Sequence, residues 1–288
     1  MKLNNKGFAI SIILYAMIIL IIGVLYLLIQ ISSNRYNLLK NYKEDIVDTI
    51  NGEGINTVSD DYKNSLFYNY LSNNSTFNNI DNNKYFYGSD PNNYLLLRTE
   101  SNTNHLFRII GIMDDKYIKV IDTESYLNFS IDNTNYYSSS LFNTLNNDYY
   151  NSILDKNFIE KRKTHVTEIS LNNYPKAIKK KEDGSLKVEK CYINLPYASD
   201  FAFAADSSKH NNKLDSSYST YNTNWMSNSY SYLLQGYIGN KVHATNISSL
   251  DLKSIGEIVR IYPSFYLKSN VKYSSGVGSS SNPYQITL

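Results

Sequence analysis

Cysteine is almost missing from this 288-residue chain, where Cys191 stands alone. One thiol cannot close an internal disulfide, so no disulfide framework is expected. Proline is sparse, at five residues, and tryptophan is reduced to Trp225. Neither sign of charge prevails: 28 Lys and Arg face 26 Asp and Glu, for a formal net charge of +2. That balance excludes the clustered basic face of a nucleic-acid-binding surface, so no nucleic-acid partner is expected. Repeats are missing as well.

The usual signatures of chemistry are also lacking. There is no Gly-x-Ser-x-Gly elbow and no phosphate-cradling glycine loop. His105, His165, His210 and His243 lie far apart in sequence, without metal-ligand spacing. "DSSKHNNKLDSS" has oxygen side chains but not the register of a calcium loop. Cys191 reads as a small buried hydrophobe rather than a nucleophile. Asp200 in "ASD" reads as a helix cap rather than an acid–base group. No catalytic residue, metal ligand or cofactor is assigned, and the chain is not expected to be an enzyme.

What the chain has in excess is tyrosine, 28 residues, with 14% aromatics overall and much Asn and Ser. Asn, Lys, Ile and Tyr use AT-rich codons, which accounts for part of this bias. A carbohydrate site built from Trp225 and several tyrosines competes with that plainer explanation. The Asn-x-Ser/Thr triplets at Asn74, Asn128 and Asn246 are expected by chance in so Asn-rich a chain.

One long hydrophobic run dominates the start. From Phe8 to Ile29 there is no charge. At 1.5 Å per residue such a run reaches roughly 30 Å, about the hydrocarbon thickness of a bilayer. It is longer than a secretory h-region, and no Ala-x-Ala site follows it. A helix apolar on every face for this length does not suit a soluble core. The sequence therefore predicts a transmembrane helix over 8–31. Lys2 and Lys6 precede it, while Arg35, Lys40 and Lys43 follow, so the positive-inside count is close to a tie. The bulk of the polar chain follows the run, which favours a cytoplasmic leader at 1–7 and an extracytoplasmic remainder in a single-pass cell-membrane protein. Leu39, Tyr42, Ile46 and Ile50 continue the helical spacing into an amphipathic stalk over 32–54. "NGEG" at 51–54 supplies two glycines and a stop.

The remainder, 55–288, reads as a mixed α+β domain with antiparallel strands. A helix is expected in "DDYKNSLFYNYLSN", and strand, turn, strand in "NKYFYGSDPNNYLLLR". "HLFRIIGIMDDKYIKVID" is a hairpin turning at Asp114-Asp115-Lys116. Leu141, Leu145, Tyr149 and Ile153 recur every four residues as one helical face. "KKKEDGSLKVEKCYINL" reads as a charged hairpin around Asp183-Gly184, with Lys179, Lys180 and Lys181 at a solvated tip. "ASDFAFAAD" is a short buried helix. "EIVRIYPSFYLKS" is a strand broken at Pro263, and a Gly/Ser/Pro loop leads to a last short strand. Arg108 in "LFRII" and Arg260 in "EIVRIY" are charges inside apolar strands. Such residues are seldom buried unless paired. Either both point to solvent, or at least one serves as a structural clasp on a carboxylate or on backbone carbonyls.

Two resemblances add to this reading. Lys6-Gly7-Phe8 before the apolar helix resembles the type IV prepilin processing site. The resemblance implies cleavage after Gly7 by a prepilin peptidase and methylation of Phe8. It also implies retention of the helix as a tail that packs in the bilayer and then against other pilin-like subunits. The family's usual glutamate at the fifth residue after the cut is replaced by Ile12. From about Asn83 onward, "YFYGSDPNNYLLL", "LFRIIGI", "LNNDYYNSI", "YASDFAFA", "NWMSN" and "NPYQI" follow in the order of a domain recurrent in surface proteins of low-GC Gram-positive bacteria. That domain is distantly similar to the C-type-lectin-like and sulfatase-modifying-factor folds. Together these features imply a membrane-anchored, prepilin-like surface or pseudopilus subunit. The alternative is a signal-anchored binding module for a glycan or a protein.

Overall fold

Apolar residues beyond the first segment come in short, alternating or β-branched runs, and such runs build strands rather than long helices. The structure, a computed structural model, describes residues 65–99, 103–214, 218, 223–227, 231–246 and 249–288. These belong to one compact unit, Asp60–Leu288.

An eight-stranded antiparallel sheet carries the core. Its path runs β1 (Asn78–Ile80), β2 (Asn83–Tyr85), β4 (Asn104–Met113), β5 (Tyr117–Asp122), β15 (Ser264–Leu267) and β10 (Ile193–Asn194). β3 (Tyr94–Arg98) also pairs with β4, and β7 (Ile159–Glu160) also pairs with β15. Around it lie a three-stranded meander of β11 (Leu233–Ile238), β12 (Lys241–Asn246) and β13 (Ser249–Ser254), and three two-stranded pairs. The pairs are β8 (Arg162–Val166) with β9 (Lys187–Cys191), β6 (Leu127–Ser130) with β14 (Ile258–Ile261), and β16 (Lys272–Ser275) with β17 (Gln285–Thr287).

Helices are short. They are α1 (Phe67–Asn74), α2 (Ser140–Asn143), α3 (Tyr150–Ser152), α4 (Pro175–Asp183) and α5 (Ala198–Phe203). A π-helical stretch, Thr144–Tyr149, joins α2 to α3. Leu141, Leu145, Tyr149 and Ile153 are all buried. Their strict four-residue spacing outruns an α-helix of 3.6 residues per turn, and the wider turn in the middle keeps the stripe facing inward.

Several expectations need correction. The described domain is predominantly antiparallel β with short helices, not a mixed α+β head. Among the described residues no helix is long and apolar enough to cross a membrane; α4, the longest α-helix there, has nine residues. The single-pass membrane localisation therefore finds no span in the described chain. The transmembrane helix at 8–31, the stalk at 32–54 and the processing pair Gly7 and Phe8 lie outside the described residues. The charged hairpin at Asp183-Gly184 is also wrong. Lys179 to Asp183 form the last turn of α4, which opens on Pro175 at its first position and turns Ile178 and Glu182 inward. β9 pairs with β8 instead.

The β4–β5 hairpin turns as read, with Asp114 at φ +49° and Asp115 at φ +59°. Pro263 separates β14 from β15. β4 is buried on both faces from Ile109 to Ile112, which explains its unbroken apolar run. α5 is buried along its whole length and packs in a cluster with Tyr85, Ile110, Trp225 and Tyr266.

Candidate functional site

One charged residue interrupts the apolar strand β5. Lys119 sits between Ile118 and Val120, and its side chain has no exposure to solvent. A buried ammonium needs a counter-charge. It is supplied by Asp200, at 2.5 Å from the Lys119 Nζ and 2% exposed. Asp200 is the third residue of α5, where its carboxylate also accepts the Tyr197 backbone N–H at 2.8 Å. The cap expected at Asp200 is thus also one half of a buried ion pair. The ammonium lies 3.9 Å from the centre of the Tyr197 ring, a cation–π contact that spreads its charge further.

A cleft of about 310 Å³ opens above this pair. Strands β2, β4, β8 and β15 and helices α4 and α5 all contribute to its wall. Its rim charges are matched except for the exposed Lys163. Arg162 bonds Asp114 at 2.6 Å and stacks 3.5 Å from the Tyr117 ring centre. Lys179 bonds Asp183 one turn along α4. The hydroxyl of Tyr197 accepts the His165 backbone N–H at 2.9 Å.

Two polar atoms of the wall have no hydrogen-bond partner among the described residues: Oη of Tyr85 and Nδ1 of His165. Tyr85 is fully buried, and burial first, then Asp200 and Glu182, push its phenol well above the ordinary value. Burial holds His165 below its ordinary value, so near pH 7 its imidazole is neutral. Both groups are therefore uncharged hydrogen-bonding partners.

Glu182 lies behind the cleft on α4. Its Oε1 accepts the Ser199 N–H at 3.3 Å, while Oε2 has no hydrogen-bond partner among the described residues. Burial, aided by Asp200, raises its pKa from 4.5 to about 7. A carboxyl with a raised folded pKa is bound to its proton in the folded state while the unfolded chain has already lost it. Stability is therefore lost as pH rises from about 4.5 to about 7. Glu182→Gln removes that loss. The stability difference between variant and wild type is expected to grow by ~2–3 kcal/mol between pH 4.5 and pH 8. Urea denaturation at both pH values measures it; a difference that does not change with pH contradicts the assignment.

The structure places the two arginines singled out by sequence in different sheets, and neither lines this cleft. Arg108, on β4, donates through Nε to Asn93 Oδ1 at 2.7 Å and through Nη2 to Asp90 Oδ1 and the Pro91 carbonyl, each at 3.2 Å. Its guanidinium lies between the rings of Tyr94 and Trp225, at 4.4 and 4.5 Å. Arg260, on β14, is half-buried, and its backbone N–H bonds Ser231 O at 3.1 Å. Trp225 is 8% exposed and donates its indole N–H to Phe86 O at 2.8 Å, so it is a wall rather than an open sugar platform. Cys191 is buried against Thr164, and burial raises its thiol to about 11. His243 is buried on the Ile169 carbonyl. Among the described residues no cluster of His, Cys, Asp and Glu is arranged to hold a metal ion.

Sequence reasoning missed Lys119, Tyr85, His165 and Glu182. One signal was available: Lys119 in "YIKVID" is as anomalous as Arg108 in "LFRII", and the lone acid of "ASDFAFA" is its natural partner.

No family model, no curated protein and no solved structure matches the chain.

Proposed function

We propose that the domain is a binding module whose cleft above Lys119 and Asp200 takes a neutral, hydroxyl-rich ligand such as a sugar ring. The observation that carries this reading is the pair of buried polar atoms on the wall, Tyr85 Oη and His165 Nδ1, which have no hydrogen-bond partner among the described residues. An unpaired buried hydroxyl costs about 1–3 kcal/mol. A ligand that bonds it recovers that cost. Three pairs of charges around the cleft are matched with one another, and the remaining cation, Lys163, is exposed to solvent, where a charge contact is worth little. A ligand with net charge would gain little there, whereas hydroxyls would meet a phenol and a neutral imidazole.

The same pairing argues for binding over turnover. Asp200 is held by Lys119 and by the Tyr197 N–H, which leaves it poorly placed to accept a substrate proton. Of the two functions read from the sequence, this supports the glycan-binding module.

Tyr85→Phe separates function from fold. The hydroxyl has no protein partner, so its removal is expected to leave the melting temperature unchanged or raise it. The full-length chain is titrated with a panel of neutral mono- and oligosaccharides by calorimetry. At least one binder is expected, with affinity reduced at least tenfold in Tyr85→Phe, as for loss of a buried hydrogen bond. No binder in the panel, or a binder indifferent to Tyr85→Phe, overturns the proposal.

A further inference from the structure

A second cavity, of about 200 Å³, lies against Arg108. Four aromatic residues, Tyr94, Trp225, Tyr232 and Tyr262, form part of its wall. Among the described residues the guanidinium is the one cationic group on its lining. Three of the five N–H groups of Arg108 are committed: the one on Nε to Asn93, and the two on Nη2 to Asp90 and Pro91. Nη1, with its two N–H groups, meets no acceptor among the described residues.

The charge is also poorly compensated. The Arg108 side chain is 12% exposed, while its one carboxylate partner among the described residues, Asp90, is 75% exposed and 3.2 Å away. Burial draws the guanidinium below its ordinary value, which records the same shortfall. The acid on the lining, Asp122, is engaged elsewhere. Its oxygens accept from His105 at 2.6 Å, Tyr149 Oη at 2.6 Å and Glu124 N–H at 2.9 Å. The bond to Asp122 raises the pKa of His105.

We infer that this cavity is a second ligand site, distinct from the cleft, which binds a small organic monocarboxylate through the free edge of Arg108. The carboxylate accepts the two Nη1 hydrogens, a charge-assisted bond stronger than a neutral one. The aromatic walls take the apolar body of the ligand. A single negative charge matches the single uncompensated guanidinium. A phosphate dianion would leave surplus charge beside Asp90 and Asp122. The volume restricts the occupant to a small molecule.

Trp225 is the only tryptophan in the chain and touches both the cavity and Arg108, so its fluorescence reports occupancy directly. The full-length chain is titrated with benzoate, with benzamide as the neutral isostere and inorganic phosphate as the dianion control. A saturable change is expected with benzoate alone. Asp90→Asn removes an exposed carboxylate and leaves the packing untouched. It is expected to tighten benzoate about threefold, the scale of one exposed ion pair. Arg108→Gln is expected to weaken benzoate at least tenfold, the scale of a charged hydrogen bond. An equal response to benzamide or phosphate, a response that does not saturate, or unchanged affinity in Asp90→Asn overturns the inference. The saccharide titration of Tyr85→Phe addresses the other cleft and is independent of this outcome.

Discussion

Lys119→Met is expected to lower the unfolding free energy by ~3–5 kcal/mol. The loss does not measure the value of the ion pair. It measures the cost of leaving the Asp200 carboxylate at 2% exposure with the Tyr197 N–H as its remaining partner. Lys119→Met combined with Asp200→Asn removes both charges. It is expected to recover most of the loss, because a buried pair and its neutral replacement differ far less than a pair and a lone charge. Urea denaturation followed by Trp225 fluorescence completes the double-mutant cycle. If the single variant costs under ~1 kcal/mol, the pair behaves like a surface ion pair and the burial argument fails.

Gly111→Ala is expected to cost about 3 kcal/mol or more, above the usual range for overpacking, because the obstacle is backbone. Gly111 pairs with Tyr85 on one side and with Lys119 on the other. A Cβ there would lie 2.1 Å from the Lys84 carbonyl oxygen and 3.1 Å from the Tyr85 Cα. No rotamer relieves that contact, so β2 must part from β4. For a domain of this size the melting temperature should fall by roughly 6–12 °C. Gly88 is the control. It sits at φ +100° with nothing within 4 Å of an added Cβ, so alanine there meets only backbone strain, about 1–2 kcal/mol. Equal melting temperatures for the two variants would falsify the steric argument.

Local features of the fold were legible because their causes are local. Two aspartates between β-branched runs make the β4–β5 turn. Pro263 cannot continue a ladder, and the apolar "FAFA" of α5 can only be buried. The error at Lys179 to Asp183 has a local cause as well. Asp183-Gly184 is both a hairpin turn signal and a helix end, and only Pro175, eight residues earlier, tells them apart. The cleft was not legible because its residues are scattered from Asn83 to Tyr266 and meet only when six elements pack. Three of its groups, Tyr85, His165 and Glu182, are unremarkable in sequence and acquire their character from burial.

The way the domain closes has a mechanical consequence. Leu66 bridges Lys272 antiparallel, with Tyr273 N–H on Ser65 O at 2.9 Å and Phe67 N–H on Val271 O at 2.8 Å. β17 pairs antiparallel with the same β16. The segment at Ser65 and the strand at Gln285–Thr287 therefore flank β16 and run parallel to each other. Tension applied between Ser65 and Leu288 pulls these two segments in opposite directions along the strand axis. The hydrogen bonds to β16 are then loaded together in shear rather than peeled one at a time, and the stacked rings of Tyr70 and Tyr273, 3.7 Å apart, lie beside the loaded strands. A fold closed in this manner resists extension first at its ends, before force reaches the central sheet.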